Sequence, residues 1–144
     1  MTTEPTSSTY TLHTCLDVVT PGQLQGFFVN WPNPPSPDTF HRVLAGSYRV
    51  VLAVQDGQVI GFVQAVSDGV LTAYIPLLEV LPEWQGRGVG RALMTRMREE
   101  LRHLYAVDLG CEDNLVPFYE ALGMRRGNLM FTRTYARQDG SPTG

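Results

Sequence analysis

Apolar residues change their spacing along this chain. From Arg49 to Gln55 and from Gln58 to Ser67 they run almost unbroken and rich in β-branched types, which predicts two strands. Asp56-Gly57 between them is a strong hairpin signal. Asp68-Gly69 predicts a second hairpin into a third strand over Leu71 to Val80. After the glycines of Gly86 to Gly90 the spacing becomes helical, with apolar positions at Val89, Leu93, Met97 and Leu101, so a helix is expected to Arg102. Tyr105 to Leu109 reads as a short buried strand. Reached through a helical crossover, it should lie parallel to the strand that ends at Val80. Leu115 to Leu122 predicts a helix that stops at Gly123, and Leu129 to Tyr135 alternates as a last strand would.

Upstream, Tyr10 to Val19 predicts a first strand. Thr20-Pro21 joins a capping hydroxyl to a proline at the first helical position, so a helix is expected to Val29. The prolines of Trp31 to Pro35 exclude helix there. Ser36-Pro37-Asp38 repeats the start signal for a helix that should run to Ala45 and end near Gly46. The order is that of an α/β (α+β) domain with a mixed sheet. Polar stretches at both ends place the domain at residues 10–136, with flexible tails expected at 1–9 and 137–144.

Composition narrows the function classes. The chain has 144 residues, one domain's worth, and 43% of them are hydrophobic. The net charge is -3 and no long basic run occurs, so a nucleic-acid surface is not expected. No apolar stretch is long enough to span a bilayer, and Met1 to Thr9 lacks the basic region and apolar core of a signal peptide. Cys15 and Cys111 make no disulfide framework and read as free thiols of a cytoplasmic protein; no metal site is expected.

The most informative segment is Gln85-Gly86-Arg87-Gly88-Val89-Gly90, between a predicted strand and a predicted helix. Glycines allow the backbone to approach a ligand, and the first turn of a helix carries amide protons without partners. Those amides and the helix dipole make a phosphate site. Three readings compete: a phosphate loop for an acyl-carrier cofactor, a dinucleotide fold, and a bare structural turn. The dinucleotide fingerprint fails on spacing. Counting from Gly86 its third glycine would be Arg91, and from Gly88 it would be Leu93, although Asp108 sits where a ribose-binding acid could. A Walker loop needs a lysine that is absent here. A bare turn needs one glycine, whereas each further glycine lowers helix propensity by up to about 1 kcal/mol. Arg87 and Arg91 oppose the helix dipole by about 0.3–1 kcal/mol unless an anion is bound.

The run Val80 to Leu93, with Gln85, Gly88 and Gly90 in a Gln/Arg-x-x-Gly-x-Gly/Ala pattern, resembles the cofactor motif of the GNAT superfamily of acyl-CoA-dependent N-acetyltransferases. Val116 to Met124 resembles the family's second signature, Phe-Tyr-x-x-x-Gly-Phe, with Met124 in the last place. The resemblance extends over Tyr10 to Tyr135 and is specific from Leu78 to Met124. It implies a single GNAT-like domain with a mixed, mostly antiparallel sheet, whose central parallel strands splay apart, flanked by helices. It implies acetyl-CoA in that splay, along the backbone of Leu78, Glu79 and Val80. The amides of Gly86, Arg87, Gly88, Val89, Gly90 and Arg91, together with Gln85, would then surround the diphosphate. It makes Tyr119 the acid that protonates the leaving thiolate. The family often has Asn seven residues before this tyrosine; here Glu112 stands there and Asn114 comes five before, so Asn114 is the cofactor contact expected in its place.

An amine acceptor must lose a proton, since a lysine-like amine of pKa about 10.4 is almost wholly charged near neutrality. Glu79, on the predicted strand that leads to the glycine loop, is the expected base, with Glu112 in reserve. Phe28 and Trp31, with neighbouring Phe27, Pro34, Pro35 and Phe40, could wall an acceptor pocket, or could simply be core and helix-ending residues. The expected activity is acetyl transfer to a primary amine of a small molecule or protein by direct attack in a ternary complex. The alternative is an acyl-CoA sensor or interaction module without catalysis. Proteins that this chain resembles are frequently dimers, so a homodimer is possible.

Overall fold

The computed structural model describes residues 9–142. The expected tail at 1–9 therefore lies, except for Thr9, outside the described residues. The sheet has five strands in the order β1-β2-β3-β4-β5, with β1 Thr11–His13, β2 Arg49–Gln55, β3 Gln58–Ser67, β4 Thr72–Val80 and β5 Ala106–Asp108. The first four are antiparallel neighbours, and β4 and β5 are parallel. Three helices flank the sheet: α1 Pro37–Ala45, α2 Val89–Glu100 and α3 Val116–Ala121.

The unbroken apolar runs of β2 and β3 follow from burial on both faces. On one face Val51, Ala53, Ile60, Val63 and Ala65 pack beneath Val89, Leu93, Met94, Met97 and Leu101 of α2 and its C-cap. On the other face Val50, Leu52, Val59 and Phe62 pack beneath Phe40 and Leu44 of α1, with Val19, Leu24 and Phe28. The hairpin between β2 and β3 turns at Asp56 (φ 51°) and Gly57 (φ 77°), the positive pair that a tight hairpin turn requires. The next turn is held by Asp68, whose carboxylate accepts from the N–H groups of Val70 and Leu71 at 2.8 Å. Those bonds, that of Leu71 foremost, hold the carboxyl below its usual range.

Three sequence expectations are corrected. The first strand is only Thr11–His13, because the chain coils into a 3-10 turn at Leu16–Val18. The helix expected from Thr20 to Val29 is one 3-10 turn, Pro21–Gln23. Positive φ at Gly26 (93°), Phe28 (64°) and Asn30 (68°) is incompatible with continuing it. Leu129 to Tyr135 makes no strand and ends in a 3-10 turn at Tyr135–Arg137. The parallel pair therefore stands at one end of the sheet, with β5 as its edge among the described residues. Within the span read as a C-terminal tail, Gln138 accepts a hydrogen bond from the Asn33 N–H at 2.8 Å.

The approach of α2 to the sheet depends on Gly61. A Cβ there would lie 3.1 Å from Leu93 Cδ1, 3.2 Å from Val89 Cγ1 and 3.4 Å from Val80 Cγ2. Overpacking of this kind costs about 1–3 kcal/mol. Gly61→Val should lose stability by about that amount, seen as a lower urea midpoint at unchanged slope; an unchanged midpoint would mean that α2 is free to move away.

Candidate functional site

Parallel pairing between β4 and β5 covers only Thr72 to Tyr74, opposite Ala106 to Asp108. β4 continues to Val80 while β5 has ended, so no described strand pairs with Ile75 to Val80 on that side. Leu78, Glu79 and Val80 are half-buried there. A main-chain stretch of this kind must direct some N–H and C=O groups to a partner other than a sheet neighbour.

The glycine loop closes the end of this gap. A 3-10 turn at Pro82–Trp84 leads into it, anchored by the buried Trp84, whose ring meets Tyr10 edge-on at 6.2 Å. Gln85 donates from Nε2 to the Val80 carbonyl at 3.0 Å and so ties the loop back to β4. This ties up the carbonyl of Val80, one of the backbone groups expected to meet a ligand. Gly86 (φ 76°) and Gly88 (φ 85°) take left-handed conformations, and a Cβ on either would meet nothing within 4 Å. The loop backbone is therefore open to approach. Gly88 is the N-cap of α2; it supplies no side-chain cap, and the first turn holds no acidic residue. Val89 is buried in the core beneath, Arg91 is exposed, and the Arg87 guanidinium lies 4.8 Å from the Trp84 ring centroid. The loop thus presents bare amides with two arginines beside them, an arrangement suited to an anion.

Gly90 joins the loop to Tyr119. A Cβ at Gly90 would stand 3.7 Å from Phe118 Cζ and 3.8 Å from Val80 Cγ2, ordinary contact distances that place α3 and the end of β4 against the first turn of α2. Tyr119 follows on α3, half-buried, its ring meeting that of Phe118 at 4.9 Å. Burial pushes its phenol up to about 12, with the negative thiolate form of Cys111 adding a smaller push. At neutral pH Tyr119 therefore keeps its proton. Asn114 is exposed in the 3-10 turn Asp113–Leu115 that precedes α3, and Glu112 is exposed at the head of that turn.

Glu79 has a role that its sequence position did not reveal. Its carboxylate accepts from the Phe28 N–H at 2.9 and 3.0 Å and from the Val29 N–H at 3.3 Å. It therefore fastens β4 to the loop that carries Phe28 at positive φ. Phe28 is 5% exposed and packs among Trp31, Phe40 and Phe62, with ring centroids 4.7, 4.8 and 6.5 Å away. Its ring belongs to the core and supports Trp31, which is half-buried and nearer the surface, so an open acceptor wall made by the Phe28 ring does not form. Trp84 is the structural part that motif reading passed over, and the tie of Gln85 to β4 is one that its reading as a cofactor contact did not include. Trp84 stood inside the quoted run, and its size beside a glycine loop was the available signal.

A cleft of about 1240 Å³ lies elsewhere, along β5 and the C-terminal part of α2; of the glycine-loop residues only Arg91 reaches it.

A family model described as the acetyltransferase (GNAT) family matches residues 16–124. The chain is 37% identical over 92 residues to GCN5-related N-acetyltransferase 3, chloroplastic, of Arabidopsis thaliana, a match covering 59% of this chain and 39% of that protein. It is 38% identical over 69 residues to serotonin N-acetyltransferase 2, chloroplastic, of Oryza sativa subsp. japonica, covering 46% of this chain and 34% of that one. The matches thus span well under half the length of these curated relatives. Among solved structures, a candidate acetyltransferase of Deinococcus radiodurans R1 is 52% identical, with a TM-score of 0.91 over 99% of this chain and 100% of that chain. A GNAT-family acetyltransferase of Streptococcus pneumoniae TIGR4 is 25% identical, with a TM-score of 0.66 over 88% of this chain and 100% of that chain.

The Tyr119 environment has a direct readout. Spectrophotometric titration should show one tyrosine ionising near pH 12, lost in Tyr119→Phe, rather than near the usual value of about 10. Because the folded form holds this proton more tightly, the associated stability is present below about pH 10 and fades as pH rises toward 12. A Tyr119 that ionises with the exposed tyrosines would show that its ring is solvated.

Proposed function

Because the chain belongs to the GNAT family of acetyltransferases, we propose that it transfers an acetyl group from acetyl-CoA to a primary amine of a small molecule or protein. The observation that carries this reading is the open backbone of Gly86 and Gly88 at an uncapped helix start, beside a strand edge that no described strand covers. A diphosphate needs amide donors, and a pantetheine arm needs main-chain partners. The amides of Gly86 to Arg91 serve the first need, and the side of Leu78 to Val80 that no described strand covers serves the second, apart from the Val80 carbonyl that Gln85 occupies. Neither Gly86 nor Gly88 could carry a side chain without filling this cradle or straining at positive φ.

The amine attacks the thioester carbonyl carbon directly, the C–S bond breaks, and the departing thiolate takes the Tyr119 proton. Desolvation raises the proton affinity of a thiolate as it does that of a phenolate, so the same half-buried setting serves donor and recipient. Glu79 holds the 28–29 loop and directs its remaining acceptor capacity to the amine's proton, through water. Trp31 forms part of the acceptor wall, and Asn114 and Gln85 border the donor. The family works with an acyl donor and an acceptor, and the names of the curated relatives in two plants support nitrogen as the accepting atom. We assign the chain to the cytoplasm on its two free, exposed cysteines. Among the described residues no helix is long and apolar enough to cross a membrane.

Thiol release from acetyl-CoA over a panel of amines tests this reading. Tyr119→Phe should lower turnover by about 10²–10⁴ with little change in acetyl-CoA affinity by calorimetry. Unchanged turnover would remove Tyr119 as the acid. Binding of acetyl-CoA without thiol release for any amine would favour a sensor.

A further inference from the structure

We propose that Gln138 is a positioning residue for the amine acceptor, holding in place the stretch that carries Trp31. The inference rests on the acetyl-transfer reading above, in which Trp31 forms part of the acceptor wall. Residues 31–35 read Trp-Pro-Asn-Pro-Pro. Proline has no N–H, so Asn33 carries the one backbone donor of residues 32–35. That donor does not go to a neighbour in sequence. It goes to Gln138 Oε1 at 2.8 Å, in a part-buried bond between residues 105 positions apart. The Asn33 side chain adds a second contact, from Nδ2 to the Tyr135 carbonyl at 3.3 Å.

The Gln138 side is built to meet it. Every residue from Arg125 to Arg137 is exposed, whereas Gln138, Asp139 and Ser141 are half-buried. Two successive turns fold this stretch: the Gln138 N–H donates to the Tyr135 carbonyl at 3.1 Å, and the Gly140 N–H to that of Arg137 at 3.0 Å. Gly140 lies against the first turn of α1, where a Cβ on it would meet Thr39 Cγ2 at 2.8 Å. The 28–33 stretch is thus held at both ends. Glu79 takes the N–H groups of Phe28 and Val29, and Gln138 takes that of Asn33. Between them lies Trp31, whose ring meets that of Phe28 at 4.7 Å and whose N–H donates to the Phe28 carbonyl at 3.1 Å. Both of those contacts are to Phe28, so neither sets how Pro32 to Pro35 sit against the rest of the domain. Trp31 and Asn33 each precede a proline, which biases them to extended backbone and stiffens the stretch. A stiff stretch pinned at two ends presents Trp31 in one place; without the second pin, Trp31 gains freedom about the Phe28 end. Gln138 thus acts through Asn33 on Trp31 and needs no contact with the reacting atoms.

The test compares the full chain with Gln138→Met, which keeps the length but loses the accepting oxygen, and with Gln138→Glu, which keeps that oxygen. Three readouts are taken: amide exchange at Asn33, the NMR signals of the two tryptophan indoles, assigned with Trp31→Phe, and steady-state rates with an amine that the panel shows to be acetylated. In Gln138→Met the Asn33 amide should exchange faster and the Trp31 indole signal should move, while that of Trp84 stays and so reports an intact fold. KM for the amine should rise about fivefold, the worth of one hydrogen bond, with kcat and the calorimetric affinity for acetyl-CoA unchanged. Gln138→Glu should return all three readouts to wild-type values. An Asn33 amide and a Trp31 signal that are unmoved in Gln138→Met overturn the proposal. So does an unchanged amine KM, or a rise that Gln138→Glu fails to restore. If the wild type acetylates no amine, the acetyl-transfer reading has failed, and the Asn33 and Trp31 signals still decide whether Gln138 holds the wall.

Discussion

β5 leaves β4 after Tyr74, and the open side of the candidate site follows from that early parting. β4 continues to Val80 with one side bound to β3 and the other unclaimed by any described strand. A half-buried strand edge is unfavourable unless its polar groups find partners. The chain answers only in part, by sending the Gln85 amide back to the Val80 carbonyl. At the end of the same strand the glycine loop swings α2 over the sheet so that its N-terminus opens beside the gap. Small residues make this geometry possible. Gly61 lets α2 approach β3, and Gly88 turns the chain through a conformation closed to most side chains.

The opposite wall is coupled to this strand through Glu79. Its carboxylate accepts from the N–H groups of Phe28 and Val29 and so fastens the loop before α1 to the edge of β4. Beneath them Phe27, Phe28, Phe40 and Phe62 form a continuous aromatic cluster with edge-on and tilted contacts. A charged group ties down a loop whose backbone is otherwise forced into positive φ.

Much of this was legible in the residues. Asp56-Gly57 and Asp68-Gly69 located both hairpins, and Ser36-Pro37 located the start of α1, because each is a local preference that nothing tertiary opposes. The same holds for α2, where Val89, Leu93, Met97 and Leu101 face the sheet as their spacing implied. Thr20-Pro21 failed as a helix signal because the start was sound but the continuation was not. Gly26 fits closely against Leu81, and Glu79, fifty-one residues from Phe28, pulls the backbone out of helical geometry. No local pattern reports such a contact. Leu129 to Tyr135 has strand periodicity, but a strand also needs a paired neighbour, and the end of this segment is bonded instead to Asn33. The glycine motif and Tyr119 could be read from sequence; that Phe28 is core support while Trp31 stays nearer the surface could not, since both are large aromatics in a proline-rich stretch.

Amide chemical shifts followed by NMR while acetyl-CoA is added address the central claim most directly. The expected result is that the largest changes fall on Gly86 to Arg91 and along Leu78 to Val80, with little change at the β2–β3 hairpin. Changes confined to the cleft beside β5, or none at the glycine loop under saturating acetyl-CoA, would contradict it.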